Sequence, residues 1–499
     1  MLRKIRLSLA VLFFIAVTAL FLDFTGTVHA WLGWTAQIQF LPALLALNVV
    51  VVVALVAITL LIGRVYCSLI CPLGIFQDIV SWISGKRKKK KYRFSYSPEK
   101  KWLRYGFLAL FGIAVIVGIG SLVALLAPYS SFGRIVSNLF APIYQLGNNV
   151  LAYFAERAES YTFYETEVWI KSVPTFIIAA VTMIVLIVLA WRNGRTYCNT
   201  ICPVGTILGL LSRYSLFRIV IDKEKCNSCG LCSRKCKASC INGNEHSIDY
   251  SRCVACMDCI DTCKHNAISF TRKRKNTDSR LSETSDTKAT DSGRRNFLSI
   301  GVAVAATSIM KAQEKKVDGG LAIIEDKQVP QRATAIVPAG AKSAKNFAQH
   351  CTACQLCVSA CPNGVLRPST GLISLMQPEM SYERGYCRPE CTRCSEVCPT
   401  GAIKPITIEE KSSIRIGHAV WIKKNCVPLT DGVECGNCAR HCPAGAITMI
   451  PSKVGDDNSV KIPAINEALC IGCGACENLC PSRPFSAIYV EGHMVHSEK

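Results

Sequence analysis

The sequence predicts an α-helical membrane unit of four spans, built from an internal two-span repeat, followed by small cysteine-rich α+β domains. Three observations predict it: four apolar runs before residue 192, a sequence element that recurs at an offset of 131 residues, and 29 cysteines in tight groups among 499 residues. Half of the residues are hydrophobic and only 18% are charged, which is too apolar for a soluble chain of this length and excludes global disorder. An odd number of cysteines in close groups makes a poor disulfide framework and points to metal ligation. His29 is the one histidine in the apolar region, which excludes a bis-histidine haem there. No Cys-x-x-Cys-His occurs, so haem is not expected.

The apolar runs are 7–22, 43–63, 106–127 and 175–191. A spanning helix needs about 20 apolar residues, so the middle two suffice and the outer two extend into their flanks. Any one could be a buried core helix, but four in succession argue for a bilayer. Basic residues orient them. Arg3, Lys4 and Arg6 precede the first run, and the loop 23–42 has no Lys or Arg. The second loop carries Lys86, Arg87, Lys88, Lys89, Lys90, Lys91 and Arg93. The third loop sets Arg134, Arg157 and Lys171 against Glu156, Glu159, Glu165 and Glu167. The N-terminus, the second loop and the chain after Trp191 are therefore expected inside, with the lysine run resting on anionic lipid.

Gly63-Arg64-Val65-Tyr66-Cys67-Ser68-Leu69-Ile70-Cys71-Pro72 returns as Gly194-Arg195-Thr196-Tyr197-Cys198-Asn199-Thr200-Ile201-Cys202-Pro203. Cys-x-x-x-Cys puts two thiols one helical turn apart on one face. Two such pairs converge on one four-thiol site if the repeats pack symmetrically. The bland alternative is that the thiols merely pack, as free cysteine often does. The duplicated Gly-Arg-x-Tyr and Pro favour redox or metal chemistry, and Cys67, Cys71, Cys198 and Cys202 are candidate redox or quinol-site thiols.

Cys226, Cys229, Cys232 and Cys236, then Cys253, Cys256, Cys259 and Cys263, follow the two-cluster bacterial ferredoxin spacing. Three close cysteines wrap one corner of a [4Fe–4S] cubane and the fourth reaches the other cluster. One cluster thus takes Cys226, Cys229, Cys232 and Cys263, and the other Cys253, Cys256, Cys259 and Cys236. Lys237 and Lys264 stand where proline is usual, and Cys240 is a spare thiol that competes with Cys236. Four more groups follow: Cys351, Cys354, Cys357 and Cys361; Cys387, Cys391, Cys394 and Cys398; Cys426, Cys435, Cys438 and Cys442; and Cys470, Cys473, Cys476 and Cys480. Each ends in Cys-Pro. Structural zinc also takes four thiolates, but it pairs two Cys-x-x-Cys units and does not use a three-cysteine wrap. Six clusters, each at about −2 with its thiolates, bring the formal +22 to about +10 and weaken a nucleic-acid reading.

The domains read as a membrane unit 1–215, a two-cluster domain 216–270, a polar linker 271–292, a segment 293–312, and a four-cluster domain 313–499. Arg294-Arg295-Asn296-Phe297-Leu298 ahead of the weak apolar stretch 297–310 is similar to a twin-arginine export signal, with Ala303-Val304-Ala305 as a possible cleavage site. The alternative is a basic linker and a short helix that leave the C-terminal region inside.

This order of motifs resembles a pair of bacterial proteins fused into one chain. Residues 1–270 resemble the NapH/MauN-type membrane ferredoxin, and residues 293–499 resemble the NapG/MauM-type exported four-cluster ferredoxin. The resemblance implies α+β bacterial-ferredoxin-like folds and a quinol dehydrogenase in the cytoplasmic membrane. Electrons would pass from menaquinol or ubiquinol to a periplasmic reductase or cytochrome c, with the quinone pool as partner and the four-cluster domain in the periplasm. It further implies that Cys361 exchanges with Cys480, and Cys398 with Cys442, as fourth ligands. Two other classes stay open: a maturation factor whose Cys-x-x-x-Cys pairs handle a soft metal such as Cu(I), and a redox sensor without turnover.

Overall fold

A computed structural model describes residues 2–23, 25–87, 94–160, 162–272 and 325–498, apart from 454 and 457. Lys88 to Lys91, most of the linker, the Arg294-Arg295 pair and the apolar stretch 297–310 lie outside the described residues. The helical unit comprises α1 (Leu2–Leu22), α2 (Val49–Ile62), α3 (Pro72–Arg87), α4 (Lys101–Val117), α5 (Gly120–Leu126), α6 (Pro128–Ile135), α7 (Ala141–Arg157), α8 (Val173–Asn193) and α9 (Pro203–Ser212), joined by short helical turns.

Two of these helices, α1 and α8, are long and apolar enough to cross a membrane. The other two expected spans are broken, and the causes are local. Within 43–63, Leu47 takes a left-handed φ of 54°, and the Asn48 side chain then caps α2 by accepting from Val51 N–H. That leaves 14 residues, about 21 Å of helix against a hydrocarbon core of about 30 Å. Within 106–127, Gly118 at φ 83° ends α4 and α5 restarts at Gly120.

All eight residues of α6 are buried, Arg134 among them, because α6 packs against α3 and α8 inside the unit. Backbone can enter the apolar layer only when protein surrounds it.

Among the described residues, five two-stranded antiparallel ribbons build the cysteine-rich parts. β1 (Phe217–Ile221) pairs with β4 (Ile268–Arg272) around β2 (Ile241–Asn242) and β3 (Ser247–Ile248). Thr271 and Arg272, expected in the linker, are the last residues of β4. Downstream, β5 (Leu366–Pro368) pairs with β6 (Pro378–Met380), β8 (Ile447–Pro451) with β9 (Lys461–Ile465), and β7 (Ile414–Trp421) with β10 (Ile488–Glu498). Such short ribbons bury little apolar surface, and a two-stranded hairpin alone is marginal.

The two cysteine-rich parts sit at opposite ends of the helical unit. At the N-terminal end of α1, Arg3 Nε donates to Asp258 at 2.8 Å. Just beyond α8, Arg195 N–H donates to Lys237 C=O at 2.8 Å. At the far ends of the same helices, Asn138 Nδ2 donates to Gln355 Oε1 at 2.7 Å and Lys171 Nζ donates to Val358 C=O at 2.7 Å. Helices of 21 residues hold these contacts about 30 Å apart.

Candidate metal centres

The expected thiol sets of the two-cluster domain come together. Cys226, Cys229, Cys232 and Cys263 rim one cavity of about 420 Å³. Burial, then Cys256, Cys253 and Cys236, push the Cys259 thiol up, which makes these four a second set. Cys240 is 1% exposed and its Sγ lies 3.5 Å from Cys236 Sγ, so the spare thiol packs beside the expected ligand.

In the C-terminal part the grouping departs from the exchange that the resemblance implied. Cys361 joins Cys387, Cys391 and Cys394 around a cavity of about 490 Å³. Burial, then Cys354, Cys351 and Cys398, push Cys357 up, which completes the reciprocal set. Cys480 joins Cys426, Cys435 and Cys438, and Cys442 joins Cys470, Cys473 and Cys476. Each fourth thiol therefore goes to the neighbouring motif in sequence. The physical reason is chain length: the short connection from Cys361 to Cys387 folds the second motif onto the first through the β5–β6 ribbon. Among the described residues, no three His, Cys, Asp or Glu side chains close on a single-ion position.

The sets follow one another. Cys387 N–H donates to Cys473 C=O at 2.9 Å, joining the set of Cys387, Cys391 and Cys394 to that of Cys470, Cys473 and Cys476. Backbone N–H groups point at sulfur, as Ala267 at Cys263 (3.3 Å), Ala446 at Cys442 (3.3 Å) and Ala487 at Cys480 (3.2 Å). Such bonds raise cluster potentials by stabilising the added electron.

Cys67, Cys71, Cys198 and Cys202 are 4–5% exposed in the helical unit. The two elements brace each other by exchange: Arg195 Nη1 donates to Cys67 C=O at 2.5 Å, and Arg64 Nη2 donates to Cys198 C=O at 3.3 Å. Gly63 and Gly194 open the two turns at φ 84° and 68°, a conformation that disfavours side chains. Both arginines are fully buried. Arg195 is neutralised by a two-pronged pair with Asp78, both distances 2.7 Å, and Asp78 also takes Lys237 Nζ at 2.9 Å. Burial raises Asp78, yet Arg195 and Lys237 outweigh it and hold the carboxyl well below its usual range.

Sequence reasoning missed Arg134. It is fully buried, and its Nε and Nη1 have no hydrogen-bond partner among the described residues. Its only signal was a lone basic residue in Ser-Ser-Phe-Gly-Arg, which reads as a loop charge. Also missed was a cavity of about 520 Å³ walled by Phe21, Asp23, Asn138, Trp169, Lys171 and Phe176, between the helical unit and the C-terminal part.

Paired helical cysteines joined to thiol sets of ferredoxin type define a membrane-associated 4Fe–4S electron-transfer protein. Comparison with known proteins agrees. Residues 44–91 and 175–224 match a 4Fe-4S binding domain, 246–269 match another, and 350–402 and 433–483 match a 4Fe-4S dicluster domain. An uncharacterised protein of Methanocaldococcus jannaschii is 24% identical over 55% of this chain and 89% of its own length. The ferredoxin-type protein NapH of Haemophilus influenzae is 27% identical over 42% of this chain and 63% of its own. The methylamine utilization ferredoxin-type protein MauN of Paracoccus denitrificans is 24% identical over 35% and 48%. No solved structure matches the chain. The chain is thus similar to ferredoxin-type proteins of the NapH and MauN kind.

Proposed function

We propose that this protein is a quinol dehydrogenase of the cytoplasmic membrane that sends electrons through six [4Fe–4S] clusters to a periplasmic reductase or electron carrier. The observation that carries the reading is the attachment of two ferredoxin-type parts to opposite ends of one helical unit, with thiol sets adjoining. With four spans, a cytoplasmic two-cluster part and an exported four-cluster part, the helical unit lies between them in the bilayer.

Quinol is assigned to the cavity between Phe21 and Trp169, and not to the four buried thiols. Aromatic walls suit a quinone ring, and Asn138 and Lys171 line the cavity beside them. Asp23 is the carboxylate there. Burial raises it, but hydrogen bonds from Thr25, Gly26 and His29 outweigh this and keep it ionised. Each quinol oxidised to quinone releases two protons and two electrons. The protons leave past Asp23 on the outer side, and two clusters take one electron each. The near set is Cys351, Cys354, Cys357 and Cys398, since Lys171 binds the carbonyl of Val358 within that motif.

The test is reduction of the holoprotein in nanodiscs by a menaquinol analogue, compared with Trp169→Ala and Asp23→Asn. Slower reduction in both variants, with dithionite reduction unchanged, supports the reading. Equal rates in all three proteins remove the cavity from it.

A further inference from the structure

We infer that Cys67, Cys71, Cys198 and Cys202 together hold one additional iron–sulfur cluster inside the helical unit, shared between the two Cys-x-x-x-Cys elements, as the centre joining the inner and outer ferredoxin-type parts. This goes beyond the six clusters above and does not depend on where quinol binds. Each matched 4Fe-4S segment, 44–91 and 175–224, contains only two cysteines, so neither can supply the four thiolates a cluster takes. The fold supplies the other two.

Three observations converge. First, the four thiols are mutual neighbours. All four are buried in one core, and Gln77 Nε2, on the helix that follows Cys71, reaches Cys198 Sγ at 3.2 Å. The exchanged arginine contacts fix the two elements in this relation.

Second, the site holds uncompensated positive charge. Arg195 has Asp78, and Arg104 has Glu99 at 2.6 Å. Arg64 makes no ion pair among the described residues; it bonds Asn199 Oδ1, Ser251 C=O and Cys198 C=O, and its Nη2 lies 3.8 Å from Cys67 Sγ. Arg134 is fully buried with two of its three nitrogens unpartnered. Four neutral thiols would leave these cations isolated in a low-dielectric interior, which costs several kcal/mol per ion. A [2Fe–2S]²⁺ or [4Fe–4S]²⁺ core with four thiolates carries about −2 and balances the two.

Third, the position bridges a gap. On the inner side, Arg64 touches Cys67 and Cys198 and also acts on Cys253 of the adjoining set. On the outer side, Arg134 C=O accepts from Asn138 Nδ2, which also donates to Gln355 Oε1, next to Cys354 of the nearest outer set. Gly133 lies against Cys354 C=O, where a Cβ would come within 2.5 Å. Gln77 Nε2 and Gly205 N–H point at Cys198 Sγ and Cys202 Sγ at 3.2 and 3.3 Å, as amides do around a cluster. The centre accepts one electron from a cluster on one side, passing from 2+ to 1+, and returns it to the other side; no proton moves.

The experiment uses the full chain, purified anaerobically, with iron, acid-labile sulfide, zinc and copper measured and the centres titrated by EPR and Mössbauer spectroscopy. Six [4Fe–4S] clusters account for about 24 irons per chain. The proposal expects about 26 for an additional [2Fe–2S] cluster or about 28 for a [4Fe–4S] cluster, with that increment and one spectral component lost in Cys71→Ser/Cys202→Ser. Arg134→Gln keeps every thiol and covers the case in which the double variant does not fold. It should move two centres to lower potential, the additional one and the outer set that holds Cys354, against which Gly133 lies; movement of that outer set alone overturns the proposal. Iron at about 24 in the wild type, or zinc or copper lost from the double variant in place of iron, overturns the proposal. So does an Arg134→Gln titration that matches the wild type at every centre.

Discussion

Asp78→Asn is the perturbation that most sharply separates a docked inner domain from a tethered one. Asp78 is the one carboxylate on which Arg195, Lys237 and Arg6 converge, at 2.7, 2.9 and 3.6 Å. Arg195 is 0% exposed and pairs with no other carboxylate among the described residues, so losing the charge strands it, while Lys237 keeps Asp258 at 3.0 Å. Breaking a buried pair this way costs about 3–5 kcal/mol. Since each factor of ten is about 1.4 kcal/mol, the inner domain should open roughly a hundred- to several-thousand-fold more often. Hydrogen exchange of the amides between Cys226 and Cys263, with the protein in nanodiscs, reads that opening. Asp222→Asn is the control, because its pair with Lys225 is 40% and 66% exposed and such pairs contribute at most about 1 kcal/mol. Faster exchange in Asp78→Asn alone is expected. Equal exchange in both variants would refute the claim that this carboxylate fastens the domain.

The ligand exchange has its own test: Cys361→Ser and Cys394→Ser should abolish the same EPR signal, and Cys480→Ser the same one as Cys438→Ser. Gly133→Ala should loosen the outer part by about 1–3 kcal/mol through overpacking, because its Cβ would come within 2.5 Å of Cys354 C=O and 2.6 Å of Phe21; a lowered unfolding temperature of the outer part reports it. His496 is held neutral, pushed down to about 4 by burial and by His493. Its folded value lies below the unfolded one of about 6.5, so the stability it contributes is present above that pH and lost as pH falls towards 4. Urea titrations of the outer part at pH 7 and pH 5 should diverge less in His496→Gln than in the wild type.

The cysteine spacing carried much of the site. Three-cysteine wraps are local, so the inner sets and the triplets of the outer ones could be read without a structure. The partner of each fourth thiol could not, because it depends on which motifs fold together, and the β5–β6 ribbon that decides this is only three residues long on each strand. Hydropathy found all four apolar runs but not their interruptions. Leu47 and Gly118 change the backbone without changing the apolar character of the stretch. Arg134 was hidden for the opposite reason: a charge in a loop ordinarily faces water, and only the burial of α6 makes it part of the metal centres.

The central claim is that electrons from quinol enter this chain's clusters. Rapid mixing of the oxidised holoprotein in nanodiscs with a menaquinol analogue, followed by EPR, tests it most directly. The account predicts cluster reduction at two electrons per quinol oxidised, slowed in Trp169→Ala. Clusters that stay oxidised under quinol but are reduced by dithionite would contradict it.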